Sequence, residues 1–378
     1  MQTKLYYIII SIVFATICVG CKNNNTATNT SLPEEVIEVK YAQGFRAYQG
    51  NGYQRYEIIN PWDTTRLLRC YILIDINDTI PSELPQGTIV RTPVTNTLVF
   101  SSVHCSLLQE LNRLDAIGGI CDSEYVYIEE LQQRLKTGQL VDAGNSTTPD
   151  IEQVIALNPD AILLSPFENI RHERLEKTNI PIIECADYME TSPLGRVEWL
   201  HFFGQLYGCQ QVADSLFEAI EETYLNTCQQ VSQIPHRPRV ITERRIGSVW
   251  YIPGGKSYMA QLINDAGGEY PWNDNNNTGS LPLSFENVLE RGQDADFWLI
   301  KYHSPKDFTY NTLKEEYTPN TRFKAFKEQH IYGCNTQYHR YYEETPFHPD
   351  RLLQDLVAIF HPQILDDYTP YYYSPLAQ

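Results

Sequence analysis

The sequence predicts an α/β protein of two Rossmann-like lobes with parallel sheets, joined by one long helix and preceded by extra β-strands at the N-terminus. Three observations predict it: a strand–helix–strand rhythm that starts at Thr97 and resumes after Pro238, one helical stretch long enough to bridge two lobes, and an internal repeat that falls once in each half. Short apolar strands alternating with helices imply a parallel sheet covered by those helices.

The first residues set the compartment. Lys4 is followed by an apolar run from Leu5 to Val19 and then by Gly20-Cys21. A basic start, an apolar core of about 7–15 residues and small residues at the cut make a secretory signal. Residues 1–20 are read as that signal, with Val19-Gly20-Cys21 as a lipobox and Cys21 as the acylated residue, so the bilayer is a partner through Cys21. The run is shorter than the roughly 20 residues a membrane-spanning helix needs. Residues 21–34 hold the Asn- and Thr-rich stretch Lys22–Ser31, whose lack of apolar residues reads as a flexible tether. The expected location is the periplasmic face of a membrane in the cell envelope.

A formal net charge of -18, one unit more negative once Lys4 is removed, repels nucleic acid, and nucleic-acid binding is excluded on that ground. Of nine cysteines, Cys18 falls in the signal and Cys21 at the lipid. The other seven are scattered without a C-x-x-C pair, which speaks against zinc knuckles and redox sites and reads as free, buried thiols.

Residues 35–90 are β-like, with short runs such as Arg69 to Ile74 and turn signals at Asn60-Pro61 and Pro81-Ser82, and are expected to add strands to the edge of the first lobe. Residues 91–190 make the first lobe, residues 191–235 a helical connector, and residues 236–378 the second lobe. Within the connector a helix is expected over 210–232, with Val212, Leu216, Ile220, Tyr224, Thr227 and Val231 as its apolar stripe. At 1.5 Å per residue it would run roughly 34 Å.

The repeat pairs Ile151-Glu152-Gln153-Val154-Ile155 with Phe285-Glu286-Asn287-Val288-Leu289, each followed at the same offset by Asp-Ala and an apolar strand. Thr148-Pro149 in the first copy and Ser284 in the second supply helix-starting chemistry, so Glu152 and Glu286 fall in first helical turns.

With these elements in place, the chain resembles the periplasmic binding proteins for cobalamin, ferric siderophores and haem, the ABC-importer class with a single rigid interlobe helix, as a Bacteroidetes-type lipoprotein. The resemblance covers about Thr97 to Leu365. It rests on Glu152 in E-x-V-I-A-L-N-P-D, Gly195 to Trp199 in P-L-G-R-V-E-W, Gly254 to Tyr258 in G-G-K-S-Y, Ala266-Gly267-Gly268, and Glu286 in L-S-F-E-N-V. It implies that Glu152 and Glu286 dock the lobes onto arginines of an ABC permease dimer. It also implies a monomer that carries a metal chelate as cargo, with no cofactor of its own. Two separated carboxylates, one per lobe, would fix orientation and speed encounter.

Ligands of two-lobed proteins bind where loops at the carboxyl ends of parallel strands meet. That rule selects Ser101 to His104, Tyr125, Asn145 to Thr147 with Ser146 at its centre, and Phe167 in the first lobe, and Arg244, Arg245, Trp250, Tyr251 and Ser280 in the second. Trp250-Tyr251 beside two arginines would suit a large, flat or anionic chelate through stacking and charge-assisted hydrogen bonds. Hydroxamate binders of the family tend to carry Arg six places before the first docking Glu and the cobalamin binder Trp. This chain has Ser146 there, so ferric chelate, haem and corrinoid stay open, with a ferric siderophore favoured. His104 is the one isolated metal-ligand candidate, and no set of His and carboxylate ligands suggests a bare-metal site. No nucleophile elbow, P-loop, H-E-x-x-H or G-x-G-x-x-G motif occurs, which points away from an enzyme. The rival reading is a surface lipoprotein accessory to an outer-membrane receptor.

Overall fold

The computed structural model describes residues 33–378, so the signal, Cys21 and nearly all of the tether lie outside the described residues. The first sheet is formed by β1 (Glu35–Ile37), β2 (Phe45–Gly50), β3 (Tyr53–Ile59), β4 (Leu67–Asp75) and β5 (Thr88–Thr92), in that order. Its pairs are antiparallel except β4 with β5. This corrects the expectation of strands added to the edge of the first lobe. The five strands make a sheet of their own, and the reason is visible at Tyr71. Its hydroxyl accepts from Glu184 N–H at 2.8 Å and donates to the Ile182 carbonyl at 3.0 Å, occupying backbone groups that a sixth strand would have used.

The first lobe holds β6 (Thr97–Val99), β7 (Ile117–Ile120), β8 (Val141–Asp142), the small hairpin of β9 (Gly144–Asn145) with β10 (Thr148–Pro149), β11 (Ala161–Leu164) and β12 (Ile182–Glu184). Its main sheet runs β12-β11-β6-β7-β8, all parallel. Leu98, Val99, Ile162 and Leu163 are fully buried, as a sheet with helices on both faces requires.

In the second lobe β13 (Val240–Thr242) begins the sheet, and β14 (Arg245–Ile246), β15 (Val249–Pro253) and β16 (Ser280–Leu283) form a separate antiparallel sheet. β17 (Phe297–Tyr302) and β18 (Ile331–Asn335) run parallel to β13, and β19 (Ser374–Pro375) closes the edge antiparallel.

Two helices tie the lobes together. The helix Pro193–Leu206 starts at Ser192, whose side chain accepts from Gly195 N–H, with Pro193 at a position that needs no donor. Its P-L-G-R-V-E-W motif anchors the amino-terminal sheet. Glu198 accepts from the backbone N–H of Lys40, Tyr41 and Ala42, Trp199 donates to Glu190, and the Trp199 and Phe202 rings pack on Phe45 and Tyr56. The bridging helix is Gln210–Val231, and its buried face is Ala213, Phe217, Ile220, Tyr224, Thr227 and Val231. The expected stripe holds from Ile220 onward but starts one residue early. Val212 is exposed and Leu216 only partly buried, while the Phe217 ring enters the core. Phe217 and Ile220 belong to the first-lobe core, whereas Tyr224 and Val231 belong to the second, so one rigid rod of about 33 Å enters both.

The lobes also meet directly. Arg340 donates to Ser106 Oγ at 3.0 Å and Gln109 Oε1 at 3.2 Å, and His348 lies 3.5 Å from Glu110, an ion-pair distance without a hydrogen bond's alignment.

Candidate functional site

Four loops of the first lobe, each leaving a parallel strand at its carboxyl end or preceding a helix, close around a cavity of about 480 Å³. After β6, Ser101 caps the helix Ser102–Glu110 by accepting from Val103 N–H. Beyond β7, Asp122 turns the chain at φ +50°, and the short helical turn Ser123–Tyr125 leaves the Tyr125 ring 60 % exposed. Asp122 Oδ1 accepts from Asn145 Nδ2 at 2.9 Å and from Ser146 N–H at 3.1 Å, fixing the β9–β10 tip against it. Past β11, Phe167 stands 55 % exposed with its ring 5.8 Å from that of Tyr188. Tyr125, Ser146 and Phe167 all line the cavity, together with Phe100, Leu164 and Ile170 as apolar wall. Asp122, Ser165, Ile170 and His172 were missed from sequence; their position one to eight residues past β7 and β11 was the available signal.

None of the second-lobe candidates lines this cavity. Arg244 is paired with Glu316 at 3.2 Å and lies over the Phe308 ring. Arg245 lies over Tyr317 at 3.9 Å, and both arginines border a separate cavity of about 260 Å³. Ser280 opens β16 and is exposed. Tyr251 is half exposed on β15. Trp250 is a correction. Alternation along β15 turns it inward, where it is 0 % exposed, stacked on Trp298 at 5.4 Å and donating its indole N–H to the Thr242 carbonyl. It has no face for a ligand and serves the core of the second lobe.

Sequence reasoning also overlooked the ion pair of Lys301 with Glu243 at the carboxyl ends of β17 and β13. Burial opposes the charge on Lys301, but the Glu243 carboxylate and nearby tyrosines more than offset it and raise the Lys301 pKa. Glu243 sits in the left-handed region, at φ +65°.

His104 is a core residue, 1 % exposed, with Nε2 3.0 Å from Asp187 Oδ1, while Asp187 Oδ2 accepts from Arg196 at 3.1 Å. Burial works against the Asp187 charge, yet Arg196 and His104 together hold its pKa below the usual carboxylate value. That partnership commits His104 within the protein. Among the described residues no group of three or more His, Cys, Asp and Glu converges on a metal-sized point. The seven cysteines from Cys70 to Cys334 are free, and burial pushes the Cys105, Cys121 and Cys334 thiols up to about 12, leaving them protonated.

Glu152 and Glu286 occupy matching places. Each is the second residue of its helix, Ile151–Leu157 or Phe285–Gly292, and each is exposed. The first helix is capped by Asp150, which accepts from Glu152 and Gln153 N–H, not by Thr148-Pro149, which is β10. The second is capped by Ser284 as expected. The repeat itself carries an insertion. Asp160 accepts from Thr95 and Asn96 N–H just before β6, and its counterpart by contact is Asp296, which accepts from Arg239 N–H just before β13. Asp294, at the offset seen in sequence, instead pairs with the Arg239 side chain.

Two α/β lobes on one bridging helix, with a cavity at the strand ends, define a two-lobed solute-binding protein. The chain belongs to the periplasmic binding protein family, whose model matches residues 107–338. It is 26 % identical over 371 residues to an uncharacterized lipoprotein of Methanocaldococcus jannaschii, covering 90 % of this chain and 86 % of that one. Among solved structures, the TroA-like periplasmic binding protein FepB from Veillonella parvula matches with a TM-score of 0.58 at 17 % identity, over 76 % of this chain and 96 % of that one. A periplasmic heme binding protein from Pseudomonas aeruginosa matches at 0.57 and 15 %, over 75 % and 99 %. An ABC-type Fe3+-hydroxamate transport protein from Saccharomonospora viridis matches at 0.54 and 18 %, over 71 % and 94 %.

Proposed function

We propose that the protein is the lipid-anchored substrate-binding component of an ABC importer, which captures a metal chelate and delivers it to a permease. The observation that carries this reading is the pair of exposed glutamates at the second position of equivalent helices, one in each lobe of a periplasmic binding protein. They offer a two-point electrostatic contact that fixes how the protein seats on a permease dimer. The cavity of about 480 Å³, walled by Phe100, Tyr125 and Phe167, is of a size and lining suited to a small-molecule ligand. A ferric siderophore is favoured, with haem and corrinoid as the other chelates. Structural neighbours named for Fe3+-hydroxamate transport and for heme binding support that range. Cys21 supplies the anchor, in keeping with lipoprotein relatives. Cys21→Ala should therefore leave the protein free of lipid and out of the detergent phase; unchanged detergent partition would contradict the anchor.

The test of the cargo is the absorption and mass spectrum of protein purified from its own host. A stoichiometric metal chelate supports the reading. Protein that arrives empty and then takes up neither ferric hydroxamate, haem nor cobalamin overturns it.

A further inference from the structure

We propose that Asp122 makes the cavity a charge filter, admitting chelates without net negative charge and disfavouring polyanionic ones. This rests on the chelate-binding reading above and names the chemical class of its cargo. The polar lining consists of hydroxyl groups, from Ser101, Ser102, Ser146, Thr147 and Ser165, with Tyr125, His172 and one carboxylate, Asp122; no Lys or Arg is among them. Asp122 is held in place. Its Oδ1 accepts from Asn145 and Ser146, its N–H donates to the Gly144 carbonyl at 2.8 Å, and no protein group bonds its Oδ2 among the described residues. Behind it Asp142 accepts from Ser123 Oγ at 2.7 Å and from Gly144 N–H at 2.9 Å, adding a second negative charge to the same loop pair.

No Lys or Arg lines the cavity, although Lys256 and Lys306 of the second-lobe loops are exposed and Arg171 lies between the lining residues Ile170 and His172. Arg244 pairs with Glu316, Lys301 with Glu243, and Arg340 with Ser106 and Gln109, while Arg245 lies over Tyr317. Arg171, exposed, borders a neighbouring groove beyond the lining. A chelate carrying several negative charges would meet a fixed carboxylate with no Lys or Arg in the lining beside it, a contact that costs affinity at short range. A neutral chelate meets hydroxyls and aromatic faces instead, and a pendant ammonium or hydroxyl finds an acceptor in Asp122 Oδ2.

Calorimetric titration of the wild type and Asp122→Asn with three ferric probes tests this. The probes are a neutral trihydroxamate, a trihydroxamate bearing one free ammonium, and a trianionic tris-catecholate. Asn keeps the Oδ1 acceptor for Asn145 and Ser146, so an unchanged melting temperature shows that the loop is intact. The wild type is expected to bind the neutral or cationic probe at least about tenfold tighter than the trianion. Asp122→Asn should narrow that gap by roughly fivefold, the scale of one partly screened charge contact, with the neutral probe shifted less than about twofold. Equal or tighter binding of the trianion by wild type, or a gap that Asp122→Asn leaves unchanged, overturns the filter while sparing the chelate-binding reading. Failure of all three probes to bind overturns the filter, and overturns the chelate-binding reading as well when haem and cobalamin also fail to bind.

Discussion

Phe167 and Tyr125 expose their rings to the cavity, whereas Trp250, the most conspicuous aromatic of the second-lobe loop, is sealed between Trp298 and Phe323. Removing a ring from an open site costs stacking area alone, so Phe167→Ala should weaken chelate binding by about 1–3 kcal/mol with little change in melting temperature. Trp250→Ala should do the reverse. A fully buried indole leaves a cavity and an unpaired Thr242 carbonyl, about 3–5 kcal/mol of stability in a denaturant titration. The strand-end rule found Tyr125, Ser146 and Phe167 because loops after parallel strands are topologically fixed. It misjudged Trp250 because the inward or outward sense of β15 depends on register, and one residue of slip exchanges Trp250 with Tyr251.

Elements show which parts of the fold sequence makes legible. The bridging helix and the parallel strands of both lobes follow from periodicity, but the amino-terminal sheet did not reveal its partner. Its alternating strands fit an edge or a separate sheet equally well, and the Tyr71 bridge that decides between them is a long-range contact. The lobe contact at His348 was hidden for the same reason. Burial disfavours its charge, but the carboxylates of Asp350 and Glu110 overcome this and raise its pKa to about 9. A folded-state pKa above the unfolded value of about 6.5 contributes stability that is fully present below pH about 6.5 and is lost as pH rises through about 9. Thermal melts should therefore show wild type losing on the order of 1–3 kcal/mol across that window relative to His348→Gln. Parallel pH profiles for the two proteins would contradict the contact.

At the scale of the whole molecule, both cores share one helix, and Glu152 and Glu286, the proposed docking pair, are mounted on equivalent helices of lobes that this helix joins. Charges in a first helical turn add only about 0.3–1 kcal/mol to the free protein, so Glu152→Ala and Glu286→Ala should leave folding and ligand affinity within about twofold. On a permease each would leave an arginine partner unpaired, roughly 2–5 kcal/mol. The most direct measurement is uptake by the reconstituted importer supplied with the Glu152→Ala/Glu286→Ala double variant loaded with ligand. The account predicts that each single change impairs transport and that the double change abolishes it; transport at the wild-type rate by the double variant would contradict it and favour an accessory to an outer-membrane receptor.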